Sequence, residues 1–251
     1  MTCKRICIII FFFIIPAFGC RKNNDLPTGD IAGKITLRND DYTLPADNSG
    51  VEVKLYKDTI LDEVTYTGYA GTYRFSDKIY GKYSIKISKE KYIVASSYYS
   101  GYGFYHIGGA SPTIVRDFDV YEIPSFILTV DSVKVNHNAD YPIYLYVRVD
   151  GGTKKPSASL IGFCSNSKDV SKDNYVAIAR GGFNDYAFTS TAMIRIPVWA
   201  FLNNMDPSFF QALTSDTIFI RLYPVASGQD LYKTINFQAL GKPSDVIKIL
   251  W

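Results

Sequence analysis

The sequence predicts an all-β protein built as two antiparallel sandwiches in tandem, with one or two short helices in the second. Three observations carry that expectation. Short runs rich in Val, Ile, Thr and Tyr recur along the chain from Ile31 onward. Gly, Pro, Asn and Asp separate them at turn spacing, and the apolar positions alternate instead of following a helical period. In the run 51–56, Val51, Val53 and Leu55 alternate with Glu52, Lys54 and Tyr56, the pattern of a strand with one wet face. With 47% hydrophobic and 15% aromatic residues in 251 positions, the chain can bury the core of one large or two small domains.

Ahead of the strands, Lys4 and Arg5 precede an apolar run from Ile8 to Ile15, followed by Pro16, Ala17, Phe18, Gly19 and Cys20. A basic end, a short apolar segment and a small residue before a cut are the parts of an export signal. The run is too short to cross ~30 Å of hydrocarbon as a helix. The thiol directly after Gly19 makes this segment resemble a bacterial lipoprotein signal, in which the Cys receives diacylglycerol before cleavage. That resemblance implies loss of residues 1–19 and lipid attachment at Cys20, where two or three acyl chains give a stable membrane anchor. A plain export signal with an incidental Cys is the alternative. Residues 20–29, polar and containing Pro27, read as a tether to the first domain.

Loss of Lys4 and Arg5 leaves 25 of the 27 basic residues against 24 acidic ones, so the mature chain is nearly neutral. Nucleic acid would need a basic face to neutralise phosphates, and is not expected as a partner. Cys3 and Cys7 depart with the signal and Cys20 is acylated, which leaves Cys164 alone and excludes an internal disulfide. Cys164 lies in the apolar stretch 160–165 and reads as a buried structural thiol, not a nucleophile.

The first domain, residues 30–123, is expected to hold strands at 31–37, 51–56, 60–66, 72–75, 80–88, 92–98 and 113–121. Within it stand Gly33-Lys-Ile, Gly50-Val-Glu-Val-Lys-Leu, Thr67-Gly68-Tyr-Ala-Gly71-Thr-Tyr-Arg-Phe and Ile79-Tyr-Gly81-Lys-Tyr-Ser-Ile. This order resembles the carboxypeptidase-regulatory-like, or transthyretin-like, β-sandwich. Gly71 and Gly81 sit where tight connections ask for positive φ, and Tyr73, Phe75, Tyr83 and Ile85 are expected to fill one inner face. Residues 39–49 make a longer first loop than that family usually carries, and Ser96 to Pro112 is an insertion. The resemblance speaks for fold and is silent about activity.

The second domain, residues 124–251, begins after Glu122-Ile-Pro124. Its strands are expected at 126–135, 142–149, 159–165, 175–180, 192–196, 217–225 and 231–237, a set that resembles a fibronectin type III or immunoglobulin-like sandwich with 217–225 central. Asp206 as cap, Pro207 in the first turn and Phe209, Phe210 and Leu213 as apolar stripe predict one helix. A second helical turn is expected after Pro197, carrying Trp199 and Leu202.

Signals of chemistry are few. His106 lies among tyrosines and His137 between Asn136 and Asn138, and no metal-binding, phosphate-cradling or nucleophile-elbow motif appears. No cofactor or metal is expected. A glycosidase needs only two nearby carboxylates, but most Asp residues, such as Asp40, Asp47 and Asp185, fall in turns where they bond local backbone. The chain is read as not an enzyme. An internal Lys–Asn crosslink, as in pilus-type sandwiches, would need Lys34 to face inward, and alternation with Gly33 and Ile35 turns it outward.

The insertion is where residues support binding. Tyr98, Tyr99, Tyr102, Phe104, Tyr105 and His106 lie between glycines, and aromatic faces there would stack on the C–H face of sugar rings. The other reading has them cover a sandwich edge or the seam between domains. Signal, transthyretin-like domain, the linking Arg116-Asp-Phe-Asp-Val-Tyr and second sandwich together resemble a Bacteroidetes-type two-domain lipoprotein family of unknown function. It is often encoded beside the transporter and glycan-binding lipoprotein of polysaccharide-utilisation systems. The resemblance implies an outer-membrane lipoprotein, on the periplasmic or the surface-exposed face, assisting capture of a polysaccharide or oligosaccharide alongside transporter-complex proteins. A structural or adaptor lipoprotein that binds a protein partner at the cell envelope is the alternative.

Overall fold

The computed structural model describes residues 27–41, 43–95, 103–106, 113–135, 143–150, 159–182, 191–196, 217–229 and 235–250, and the fold is an all-β one of packed, mainly antiparallel sheets. The first strands are β1 (Thr28–Arg38), β2 (Glu52–Lys57), β3 (Ile60–Tyr66), β4 (Thr72–Ile79), β5 (Gly81–Ser88), β6 (Tyr92–Val94), β7 (Phe104–His106), β8 (Thr113–Val115) and β9 (Phe118–Glu122). They form two sheets, β4-β1-β9-β6 with β8 also on β1, and β3-β2-β5-β7. Alternation does what it predicts. Val53 and Leu55 are buried between the sheets, while Glu52, Lys54 and Tyr56 lie on the wet side of β2.

Tyr73, Phe75, Tyr83 and Ile85 all reach this core, but not from one face as expected. β4 and β5 belong to different sheets, so Tyr73 and Phe75 meet Tyr83 and Ile85 across the interior. The single run expected at 113–121 is broken at Arg116 and Asp117 into β8 and β9, both parallel to β1. The break needs Gly33, where an added Cβ would stand 1.8 Å from the Arg116 carbonyl oxygen. Of the two turn glycines, Gly71 takes φ +80°. Gly81 is not in the left-handed region; there a Cβ would crowd the Lys57 side chain.

The remaining strands are β10 (Ile127–Val135), β11 (Ile143–Asp150), β12 (Ser159–Ser165), β13 (Ala177–Gly182), β14 (Thr191–Ile196), β15 (Thr217–Val225) and β16 (Ile247–Leu250). Sheet β10-β11-β14 faces sheet β13-β12-β15-β16 over a core that includes Leu128, Leu145, Leu160, Cys164 and Ile220. β15 is central in its sheet, as its apolar run suggests. Its second partner is β16, not a strand at 231–237. Phe237 opens a short 3-10 turn, Phe237–Ala239, and residues 231–234 lie outside the described residues. The helices expected after Pro197 and at Asp206 also fall outside them.

β12 is buried on both faces, which explains its unbroken apolar reading. Its outer side chains Ile161 and Phe163 join Tyr223, Val225 and Ala239 in another cluster, and Ile93 and Tyr121 of the first sandwich pack against it. Further contacts tie the two halves there. Gln229 Nε2 donates to the Val94 carbonyl at 3.0 Å, and the Asp40 carboxylate accepts from Ser125 N and Oγ. Gly228, at φ +73°, lies against the Tyr121 ring so closely that a Cβ would stand 2.3 Å from it.

This packing sets two expected outcomes. Gly228→Ala is expected to lower stability by about 1–3 kcal/mol in urea denaturation, through left-handed strain and displacement of Tyr121. Burial pushes the Cys164 thiol far up, so a thiol reagent is expected to modify the unfolded chain and leave the folded chain untouched at Cys164, read by mass spectrometry.

Candidate functional site

Three of the aromatic candidates, Tyr98, Tyr99 and Tyr102, lie outside the described residues, as does Cys20. The other three sit on β7, where period-two alternation separates them. Phe104 is 8% exposed and packs at the core beside Tyr83, with the Arg116 guanidinium 4.8 Å over its ring. His106 is fully buried, its ring 6.2 Å from that of Tyr83. Burial takes Phe104 and His106 out of any stacking platform. Tyr105, between them, is 60% exposed and points to the opposite side.

That opposite side is the outer face of sheet β3-β2-β5-β7, and cross-strand register says what shares it. Tyr66, Glu52 and Ser88 stand in one row. Val64, Lys54 and Lys86 form the next, then Leu61, Tyr56 and Ser84, and finally Lys82 with Tyr105. Tyr66 is 61% exposed and Tyr56 half-buried. At about 3.4 Å per residue and 4.8 Å per strand, Tyr66 and Tyr56 are about 14 Å apart and Tyr56 and Tyr105 about 12 Å, on one diagonal across the sheet. The rows between supply Lys54, Lys82 and Lys86.

Fixed polar contacts order this face. Lys86 Nζ lies 4.7 Å over the Tyr56 ring, a cation–π contact that holds the ring. Glu52 accepts from Lys54 Nζ at 2.7 Å and Ser88 Oγ at 2.5 Å, with Tyr66 Oη at 3.4 Å. Lys54 first, then Ser88, hold the Glu52 carboxyl below its usual range, and Glu52 raises Lys54 in return. At the β3 edge, Lys78 of β4 bridges Asp62 and Glu63. Burial disfavours its charge, but the two carboxylates outweigh that and its pKa rises.

Among the described residues, no three His, Cys, Asp or Glu side chains come together as a metal-holding group. Lys34 is exposed, and its backbone amide donates to Asp117. Tyr56 and Tyr66 are the functional candidates that reading by loops missed. The wet-face alternation of 51–56 already put Tyr56 outward, but the pairing of Tyr66 and Tyr105 onto the same face depends on register.

No protein-family model and no curated protein matches this sequence. Among solved structures, the chain is similar to a DUF3823 family protein from Bacteroides uniformis at 15% identity and TM-score 0.31, covering 89% of this chain and 99% of that one. A DUF3823 family protein from Parabacteroides merdae gives 10% identity and TM-score 0.32 over 90% and 100%. A candidate carbohydrate binding protein from Bacteroides uniformis gives 17% identity and TM-score 0.30 over 90% and 100%. Likenesses this slight carry no functional inference, and the role of the chain has to be read from its own residues.

The charged groups fix a pH dependence. Glu52 and Asp30, the latter held by Arg74 and by the Asp77 amide, have folded pKa values below their ordinary ones. Their contribution is complete above the unfolded values and is lost as pH falls through the folded ones. Lys54 and Lys78 are raised, so theirs is complete below about 10.5 and lost above it. Thermal melts are expected to show a plateau of stability from about pH 5 to 10, falling on both sides, with the acid limb shallower in Glu52→Gln.

Proposed function

We propose that this protein is a non-catalytic, lipid-anchored envelope protein that presents the outer face of sheet β3-β2-β5-β7 to a saccharide. The observation that carries the reading is the diagonal of Tyr66, Tyr56 and Tyr105 on one outward sheet face with lysines between them. A pyranose offers an apolar C–H face for stacking and hydroxyls that accept from Lys54, Lys82 and Lys86. An open sheet face suits an extended chain of sugars better than a small molecule, which asks for a concave pocket. The anchor rests on Lys4, Arg5, the apolar run and Cys20, and residence at the outer membrane goes with it. Strand orders β10-β11-β14 and β13-β12-β15-β16 support the fibronectin III-like reading of the second half, and the paired sheets of the first half support the transthyretin-like one.

An adaptor role through strand addition at β3 is the weaker reading. Asp62, Glu63 and Lys78 guard that edge with charge, the usual device against pairing with another chain.

Affinity electrophoresis in polysaccharide gels, with a glycan array, tests the reading. Tyr66→Ala, Tyr56→Ala and Tyr105→Ala are each expected to weaken binding by about two- to tenfold with the melting temperature kept. Tyr69→Ala, in the turn between β3 and β4, should bind as the parent does. Undiminished binding by all three variants, or none by the parent, sinks the proposal.

A further inference from the structure

We propose that the end of the first sandwich built by the β2–β3 and β4–β5 turns rests on the lipid surface that holds the anchor, an inference that depends on acylation of Cys20. Four large apolar side chains stand exposed there: Ile60 at 76%, Leu61, Ile79 and Tyr80. Register brings them together. Lys57 pairs with both Ile60 and Tyr83, Tyr56 with Leu61, and Thr28 with Ile79. The Asp58 amide donates to the Lys82 carbonyl at 2.8 Å, which docks the first turn onto the start of β5.

The lipid-side end of the chain arrives at this same place. Tyr80 N donates to the Pro27 carbonyl at 3.3 Å, so the segment that leads back to Cys20 leaves from beside the patch. Six residues lie between Cys20 and Pro27, and the seven Cα-to-Cα steps they make span at most about 25 Å at full extension. Whatever path they take, Pro27, bonded to Tyr80 of the patch, lies within that distance of Cys20. Tethering turns contact with the surface into an intramolecular step, so a patch too weak to bind membranes alone still becomes occupied.

The opposite end is taken. β9 runs parallel to β1, so the chain leaves the first sandwich at Glu122, beside Arg38 and far from Thr28. The contacts that Tyr121, Val94 and Asp40 make with the second half lie at that far end. The turns at the near end are left to face what lies beside the anchor.

Their chemistry suits a headgroup boundary. Ile60, Ile79 and Leu61 are aliphatic, Tyr80 is of the type that settles at membrane interfaces, and Lys57 and Lys82 flank them. Asp58 is the acid at the turn, while Asp62 and Glu63 are engaged by Lys78. In the chain itself Arg21 and Lys22 follow the lipidated Cys directly.

Fluorescence of the full lipidated chain in vesicles carrying brominated lipid tests this. In Ile60→Trp, the introduced emission, after subtraction of the parent's, is expected to be quenched at least about twofold, as for an indole at the acyl boundary. In Tyr69→Trp, in the β3–β4 turn at the opposite end of the sandwich, it should stay unquenched. Adding Ile79→Ser and Tyr80→Ser to Ile60→Trp should relieve the quenching. Equal quenching at positions 60 and 69, or none at 60, overturns the resting face. So does a blue shift at 60 that grows with protein concentration without vesicles, which would assign the face to a second copy. Mass spectrometry of Cys20 tells the two failures apart. An unacylated Cys20 removes the anchor and this face together, whereas an acylated Ile60→Trp chain whose introduced emission is not quenched removes this face alone.

Discussion

A missing side chain at Gly33 is the constraint on which the first sandwich depends. β1 runs the length of its sheet, with β4 on one side and both β8 and β9 on the other. Between β8 and β9 the chain bulges out of the ladder at Arg116 and Asp117, and the bulge brings the Arg116 carbonyl where any Cβ on residue 33 would be. That carbonyl accepts from the Tyr73 hydroxyl at 2.6 Å, so the buried Tyr is satisfied by the same bulge. On either side the ladder continues, with Arg116 N donating to Ala32 and Lys34 N to the Asp117 carboxylate. Gly33 thus lets one strand carry two parallel neighbours, and those neighbours deliver β9, with Tyr121 on it, to the second half.

Most of this fold is legible in local sequence because alternation is local. β2 shows it in six residues, and the inward Val53 and Leu55 follow without knowledge of any partner. Where reading fails, the deciding fact is non-local. β7 is three residues long, too short to stand out in a Gly- and Tyr-rich stretch, and exists because Gly81 to Tyr83 offer it a ladder. The break between β8 and β9 is invisible because its cause, Gly33, stands far earlier in the chain. β16 lies past a polar stretch and is fixed by pairing with β15.

The candidate site divides the same way. Reading Tyr98 to His106 as one aromatic cluster treats neighbours in sequence as neighbours on a surface, and a strand sends Phe104 and His106 inward while Tyr105 goes out. The tyrosines that do share a face with Tyr105 come from β2 and β3, brought there by pairing across three ladders. Alternation within 51–56 reveals that Tyr56 is outward; only register reveals its company.

The parallel pairing of β1 with β9 also has a mechanical meaning. A chain held at Thr28 and pulled through Glu122 is gripped at opposite ends of adjacent parallel strands. Tension along that line shears the β1–β9 hydrogen bonds all at once instead of unzipping them one by one, and shear is the geometry in which a small ladder resists force best. The Tyr121 contact with Gly228 lies at the end of the same line, where it ties the second sandwich to the strand that bears the pull. Tension between the start of β1 and the second sandwich therefore loads this ladder in shear before it reaches the rest of the fold.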